Sequence, residues 1–308
     1  MTRRKAQPKQ QPKQAGKPNG KQPQKPPKGA KARQAAAAKR NRQVGIGAIA
    51  AVAVVVVAII VFSAKGTPSA SPTPSADTAQ VAKLVTTVPS TTLDQIGAGQ
   101  GITEVQTLPS GTAPLTLGGK PEVFYLGAEY CPYCAAQRWP LVIALSRFGT
   151  FSGLGTTTSS STDTAPNTPT LSFHGSTYTS SYLSLAAVET QTQAGKPLDT
   201  PTAAQQHLAS TYDPPSQGSS GSPIPFLMIG NRYMQIGSSY LPTALAGMTS
   251  LQVATALSDP SAPTTKPIVA AANMFTAAFC QLTSDQPQNV CAAPGVRLAA
   301  AKLPSAGP

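Results

Sequence analysis

Nineteen consecutive residues without a charge, VGIGAIAAVAVVVVAIIVF from Val44 to Phe62, divide the chain in two. At about 1.5 Å per residue in a helix they extend roughly 28 Å, enough to cross the hydrocarbon core of a bilayer. Uncharged runs of this length are rare in the cores of soluble domains, so the segment reads as one transmembrane helix. A cleaved signal peptide is the nearest rival, and FSAKG at the exit does supply small residues. The apolar run is long for one, however, and its basic lead is unusually extended.

Residues 1–43 hold 14 of the 24 Lys and Arg and no Asp or Glu, so the remainder has 10 basic residues against all 11 acidic ones. The formal charge of +13 is therefore a property of the tail. By the positive-inside rule the tail is cytoplasmic and the bulk of the chain lies outside the cell membrane. Lys alternating with Gln, Pro and Gly cannot bury enough surface to fold, and the tail is expected to be disordered. It is a topology determinant that rests on anionic lipid headgroups. No aromatic residue is interleaved for base stacking, so no specific nucleic-acid binding is indicated. Residues 63–80, with GTPSASPTPSADTAQ, form a Pro/Ser/Thr linker, and 81–308 an extracytoplasmic domain with a C-terminal helical extension.

Within that domain VAKLVTTV (Val81–Val88) reads as a helix, and PEVFYLGA (Pro121–Ala128) as a strand buried on both faces. A second helix is expected to open at the cysteines of GAEYCPYCAAQRWP and to end near Gly149, kinked by Pro140. Phe151 to Thr190, rich in β-branched and turn residues, predicts two or three strands and loops. TAAQQHLASTY (Thr202–Tyr212) reads as a short helix. SPIPFLMIGNRYMQIGSSY (Ser222–Tyr240) reads as a hairpin joined by Gly230-Asn231. Two more helices, in Pro242–Asp259 and Lys266–Thr283, complete the pattern. That order predicts an α/β domain, a central mixed sheet flanked by helices.

Cys131 and Cys134, with Pro132 and Tyr133 between them, fit three roles: a redox dithiol, half of a metal site, or a structural staple. A zinc site needs a second close pair, whereas Cys280 and Cys291 are eleven apart and far along the chain. His174 and His207 have no ligand-like spacing, so neither a metal nor a cofactor is expected. A disulfide across so short a loop would constrain the unfolded chain little. Redox chemistry uses the spacing better. A first cysteine at a helix N-terminus meets unpaired N–H groups and the positive end of the helix dipole, which favour its thiolate. Cys131 would form a mixed disulfide and Cys134 resolve it. Pro132 and Tyr133 would tune thiolate stability by setting which N–H groups face the Cys131 sulfur. Cys280 and Cys291 read as a structural disulfide stapling the C-terminal helix, or alternatively as a relay that exchanges with the first pair. Trp139 and Tyr130 flank the dithiol, as a substrate platform or, for Trp139, as core.

A buried strand, a Cys-Pro-Tyr-Cys, a helix and a later Ile-Pro hairpin together resemble the thioredoxin superfamily over about Pro121 to Asp259. That resemblance implies a thioredoxin-like fold behind the N-terminal transmembrane helix. It implies a cis Pro225 that faces the dithiol and shields it from stray metal, and an Ile224 backbone that pairs with incoming peptide. CPYC matches the centre common in glutaredoxins, but no acidic glycine turn of the glutathione-holding type follows the hairpin. The buried acid of thioredoxins corresponds here to Tyr125, so a carboxylate base for Cys134 is missing from that place. Glu129 could serve through water, or be a loop charge. More closely, YLGAEYCPYCAAQRWPLVIALSRFGTFSGL (Tyr125–Leu154) resembles the thioredoxin-like family catalogued as domain of unknown function 929. The expected activity is that of a membrane-anchored thiol–disulfide oxidoreductase acting on thiols or disulfides of exported proteins, or on a membrane redox partner. A non-catalytic binding or assembly module of the envelope is the alternative, as is an accessory subunit of a larger envelope complex.

Overall fold

The computed structural model describes residues 75–214 and 223–305. The basic tail, the Val44–Phe62 span and most of the linker lie outside the described residues. No helix among the described residues is long and apolar enough to cross a membrane. Helix α1 (Ala76–Thr86) begins five residues earlier than its apolar pattern suggests. Ser75 caps it by accepting from the Thr78 N–H at 3.2 Å, and Asp77 suits the positive end of the helix. Helix α2 (Ser90–Ile96) follows Pro89.

Two-residue strands β1 (Gln106–Thr107) and β2 (Thr116–Leu117) lead into β3 (Lys120–Gly127), the centre of the sheet. Helix α3 (Pro132–Ser146) comes next. Four short strands then follow, β4 (Gly149–Ser152), β5 (Gly155–Thr158), β6 (Pro169–Ser172) and β7 (Thr177–Ser180), and after them β8 (Ser184–Glu189). This makes five strands where two or three were expected. Four of them form two small antiparallel pairs, β4 with β7 and β5 with β6, too short to carry a clear alternation. Gly149 opens β4 instead of closing the helix, since a side chain there would collide with the Thr179 carbonyl of β7.

After α4 (Ala203–Tyr212) the hairpin forms as β9 (Phe226–Ile229) and β10 (Tyr233–Ile236). Its turn holds Gly230 and Asn231 at φ of 61° and 55°, a conformation these two residues tolerate. A short 3₁₀ turn (Pro242–Leu245) precedes α5 (Ser250–Ala256), and then come α6 (Thr265–Leu282), α7 (Gln288–Cys291) and α8 (Pro294–Ala300). Cys280 and Cys291 form a disulfide that ties α7 to α6.

β3 pairs in parallel with β8, from Glu122 opposite Ser184 to Gly127 opposite Glu189. On its other side runs β9, antiparallel, with β10 and β1 beyond it, and the short β2 pairs antiparallel with the start of β3. The sheet is thus mixed, with helices on it. Alternation along β3 separates two cores. Val123 and Tyr125 face the larger one, with α3 and α6, while Phe124 and Leu126 face a smaller one with Val188, Phe226, Met228 and Ala209 of α4. A strand buried on both faces must be apolar at every position, which is why its sequence does not alternate.

Helix α3 is buried almost all round and continues through Pro140. A proline brings no N–H to the carbonyl four residues before it, here that of Ala136. The buried Tyr240 hydroxyl donates to that carbonyl at 2.8 Å. Tyr240→Phe removes only this donor and should lower the unfolding free energy by about 1–3 kcal/mol. In a Pro140→Ala background the restored N–H should make the same substitution nearly neutral. Urea unfolding of the four proteins measures the cycle; equal costs in both backgrounds would show that Tyr240 does not stand in for the missing donor.

Candidate active site

β3 ends at Gly127, and four residues later Cys131 caps α3. Its backbone is extended (φ −77°, ψ 121°), and its Sγ accepts the Cys134 N–H at 3.2 Å. The sulfur thus does what a Ser or Asp oxygen does at other helix starts. Pro132, with no N–H to satisfy and φ already helical, is suited to the first turn. Cys134, one turn on, is wholly buried, while Cys131 keeps 6% of its surface. Both are free thiols. Tyr133 stands exposed between them in sequence, 42% accessible.

The segment ahead of β9 completes the site. The Cys131 thiol points at the Ile224 carbonyl, 3.8 Å away, and the Ile224–Pro225 peptide is cis. The Pro225 carbonyl is held by the Gly237 N–H at 2.8 Å, which fixes this turn to the end of the hairpin. Cys131, Cys134, Pro132, Tyr133, Ile224 and Pro225 therefore gather in one place. Cys280 and Cys291 are bonded to each other on α6 and α7.

The two thiols are electrostatically unlike. The hydrogen bond from the Cys134 side chain pulls Cys131 below its ordinary value; backbone N–H groups of Cys134 and Tyr133 and the Arg138 cation act with it, against burial. Burial pushes Cys134 well up, and its hydrogen bond to Cys131 and the Cys131 charge add to that. One sulfur is prepared to be a thiolate and the other to stay a thiol.

Beneath them lies an ion pair that local pattern did not reveal. Arg138 and Glu189 are both fully buried, joined by Nε to Oε1 at 2.7 Å and Nη2 to Oε2 at 2.6 Å. Nη2 also donates to the Ala128 carbonyl at 2.8 Å. The available signal was Arg138 alone in an apolar helix, four residues after Cys134 and seven after Cys131, hence on their face. Glu189 gave none beyond closing β8. Tyr125 of β3 is wholly buried nearby. Burial holds its hydroxyl well above the ordinary range, so it is a neutral phenol and cannot serve as a base. Its ring lies 5.9 Å from the Arg138 guanidinium.

Glu129 accepts from the Ser172 hydroxyl at 2.6 Å, and its N–H donates to Gln191. Trp139 is core: fully buried, it donates to the Pro169 carbonyl at 3.0 Å and offers no platform. Tyr130, next to Cys131 in the chain, instead lines a cleft of about 720 Å³ with Ser160, Thr162, Asp163, Gln191 and Gln193. His174 pairs with Asp199 at 2.8 Å, and His207 lies on α4. Among the described residues no three His, Cys, Asp or Glu cluster as metal ligands would.

Residues 109–281, more than half of the chain, match the model of a family described as a domain of unknown function (DUF929). No curated protein and no solved structure matches the chain.

The asymmetry of the thiols is measurable. Alkylation of the reduced protein by iodoacetamide should modify Cys131 with a pH midpoint below the free value of about 8.5, leaving Cys134 untouched there. Peptide mass spectrometry assigns the label. Equal labelling of both cysteines, or a midpoint above the free value, would contradict the assignment.

Proposed function

The chain belongs to the family described as domain of unknown function DUF929, and from its site we propose that it is a thiol–disulfide oxidoreductase of thioredoxin-like architecture. The observation that carries this is Cys131 as the cap of α3, its sulfur on the Cys134 N–H and the Cys134 thiol buried behind it. The order β3–α3–β8, a parallel unit, followed by the antiparallel β9–β10 hairpin and α6, supports the architecture. So does the Ile224–Pro225 segment beside Cys131.

The chemistry runs in two steps. The Cys131 thiolate attacks one sulfur of a substrate disulfide; that bond breaks, a mixed disulfide forms, and the departing substrate thiolate takes a proton. Cys134 then loses its proton and attacks the Cys131 sulfur, releasing the second substrate thiol. The substrate gains two electrons and the Cys131–Cys134 pair becomes a disulfide. Substrate thiols drive the same steps in reverse, and the potential of the pair sets the direction. Glu129, Tyr125 and Glu189 all differ from a free buried base: the first is held by Ser172, the second neutral, the third paired to Arg138. Cys134 would give its proton to water.

The substrate is best read as a polypeptide. The cleft beside Tyr130 is lined by hydroxyl and carboxamide groups and one acid, Asp163, with no Lys or Arg among its described residues. An anionic low-molecular-weight thiol would find no cation there, whereas an extended chain finds donors and acceptors. The Val44–Phe62 span would anchor the domain outside the membrane, on exported proteins or a membrane redox partner, with the basic tail on anionic lipid. Insulin reduction or scrambled-ribonuclease turnover should fall to the uncatalysed rate in Cys131→Ala. Cys134→Ala should accumulate a mixed disulfide with its substrate. Equal turnover by the wild type and Cys131→Ala would instead favour a non-catalytic binding module.

A further inference from the structure

The ion pair under the dithiol is larger than packing requires. A buried charge must be paired, but a pair of apolar residues would fill the same space at no electrostatic cost. Arg138 and Glu189 are polarised relative to the sulfurs. Long helical side chains lean back toward the helix N-terminus, so Arg138 reaches from its position toward Cys134, one turn before it. Its Nη2 donates to the Ala128 carbonyl, and that same carbonyl accepts the Cys131 N–H at 3.3 Å. The guanidinium is therefore one shared carbonyl away from the Cys131 backbone, while Glu189 holds its Nε and Nη2 from the end of β8. Nη1 is buried with no hydrogen-bond partner among the described residues. It leaves a cationic N–H pair uncommitted in the interior.

Resting on the redox reading of the dithiol, we propose that Arg138 and Glu189 form a fixed dipole, cation end toward the sulfurs, that sets the redox poise of Cys131–Cys134. Arg138 and Glu189 are positioning residues: neither touches the substrate. The reduced form carries a thiolate that the cation stabilises; the disulfide carries no charge and gains nothing. The guanidinium thus favours the reduced form and makes the pair a stronger oxidant, and the carboxylate moderates it. The other titratable groups close enough to feel the sulfurs are Tyr125 on β3 and Tyr130 ahead of α3, and Asp163 acts on Tyr130. Burial raises both phenols, so they stay neutral near neutral pH. The direction of the Cys131 shift, with Arg138 among its causes, agrees with this orientation.

Glu189→Gln keeps the shape and frees the cation; Cys131 should then be labelled by iodoacetamide at lower pH. The equilibrium with glutathione should move toward the reduced pair by about tenfold, which is about 30 mV. Arg138→Gln should move both readouts the opposite way, and Arg138→Gln/Glu189→Gln should fall between them. Far-UV circular dichroism and thermal unfolding identify any variant that fails to fold; Glu189→Gln and the double variant then carry the test. A purely structural pair would leave both readouts unmoved, or move them in one direction in every variant, and either result overturns the proposal. The redox reading fails separately, if no variant forms the Cys131–Cys134 disulfide at any glutathione ratio. The labelling profile needs no turnover and reads the dipole even then.

Discussion

The fold depends on how helix α3 is held. Three consecutive residues on it each reach a different wall. Gln137 accepts the Ser239 N–H at 2.7 Å and donates to Gln235 of β10 at 3.2 Å. Arg138 bonds Glu189 at the end of β8 and the Ala128 carbonyl. Trp139 donates to Pro169 of β6. Residues 137, 138 and 139 point about 100° apart around a helix, so the three bonds clamp it from all sides. Polar groups with no access to water must find their partners or cost several kcal/mol, so this set tolerates little slippage of the helix. A helix apolar around most of its circumference has to be central, and this one is.

Rigidity there has a chemical consequence. With α3 fixed and β3 buried on both faces, the turn between them can hold Cys131 only at the helix start, where N–H groups face its sulfur. Depth separates the two thiols, since Cys134 is sealed and Cys131 keeps a little surface, with the Ile224 carbonyl 3.8 Å from its sulfur. Burial opposes a thiolate at both positions, but the hydrogen bond from Cys134, with the N–H groups of the helix start and the Arg138 cation, overcomes it only at Cys131.

Much of this was legible in the order of residues. The strand at PEVFYLGA, the helix behind the cysteines, the Gly-Asn hairpin and the long helix through Cys280 are each apolar runs bounded by Gly or Pro, and local pattern suffices for them. The meeting of Ile224-Pro225 with Cys131 was suggested by family resemblance, because the two are 93 residues apart. Less legible were features whose cause is tertiary. Glu189 looks like any strand-end acid until Arg138, 51 residues earlier, is seen beside it. The four short strands β4 to β7 carry too few residues for a period. Trp139 beside a dithiol suggests a platform as readily as core, and only the Pro169 carbonyl decides it. Cys280 and Cys291 admitted a staple or a relay; they are joined in the structure, and the bond ties two helix ends.

The central claim is that Cys131 and Cys134 are a reversible two-electron couple. Equilibration of the wild-type protein across a series of glutathione buffers, quenched with acid and resolved by mass spectrometry, tests it directly. The account predicts loss and recovery of one Cys131–Cys134 disulfide with a midpoint between about −270 and −120 mV. Cys280–Cys291 should stay bonded throughout. A Cys131–Cys134 pair that remains dithiol at every ratio, or exchange confined to Cys280–Cys291, would contradict it.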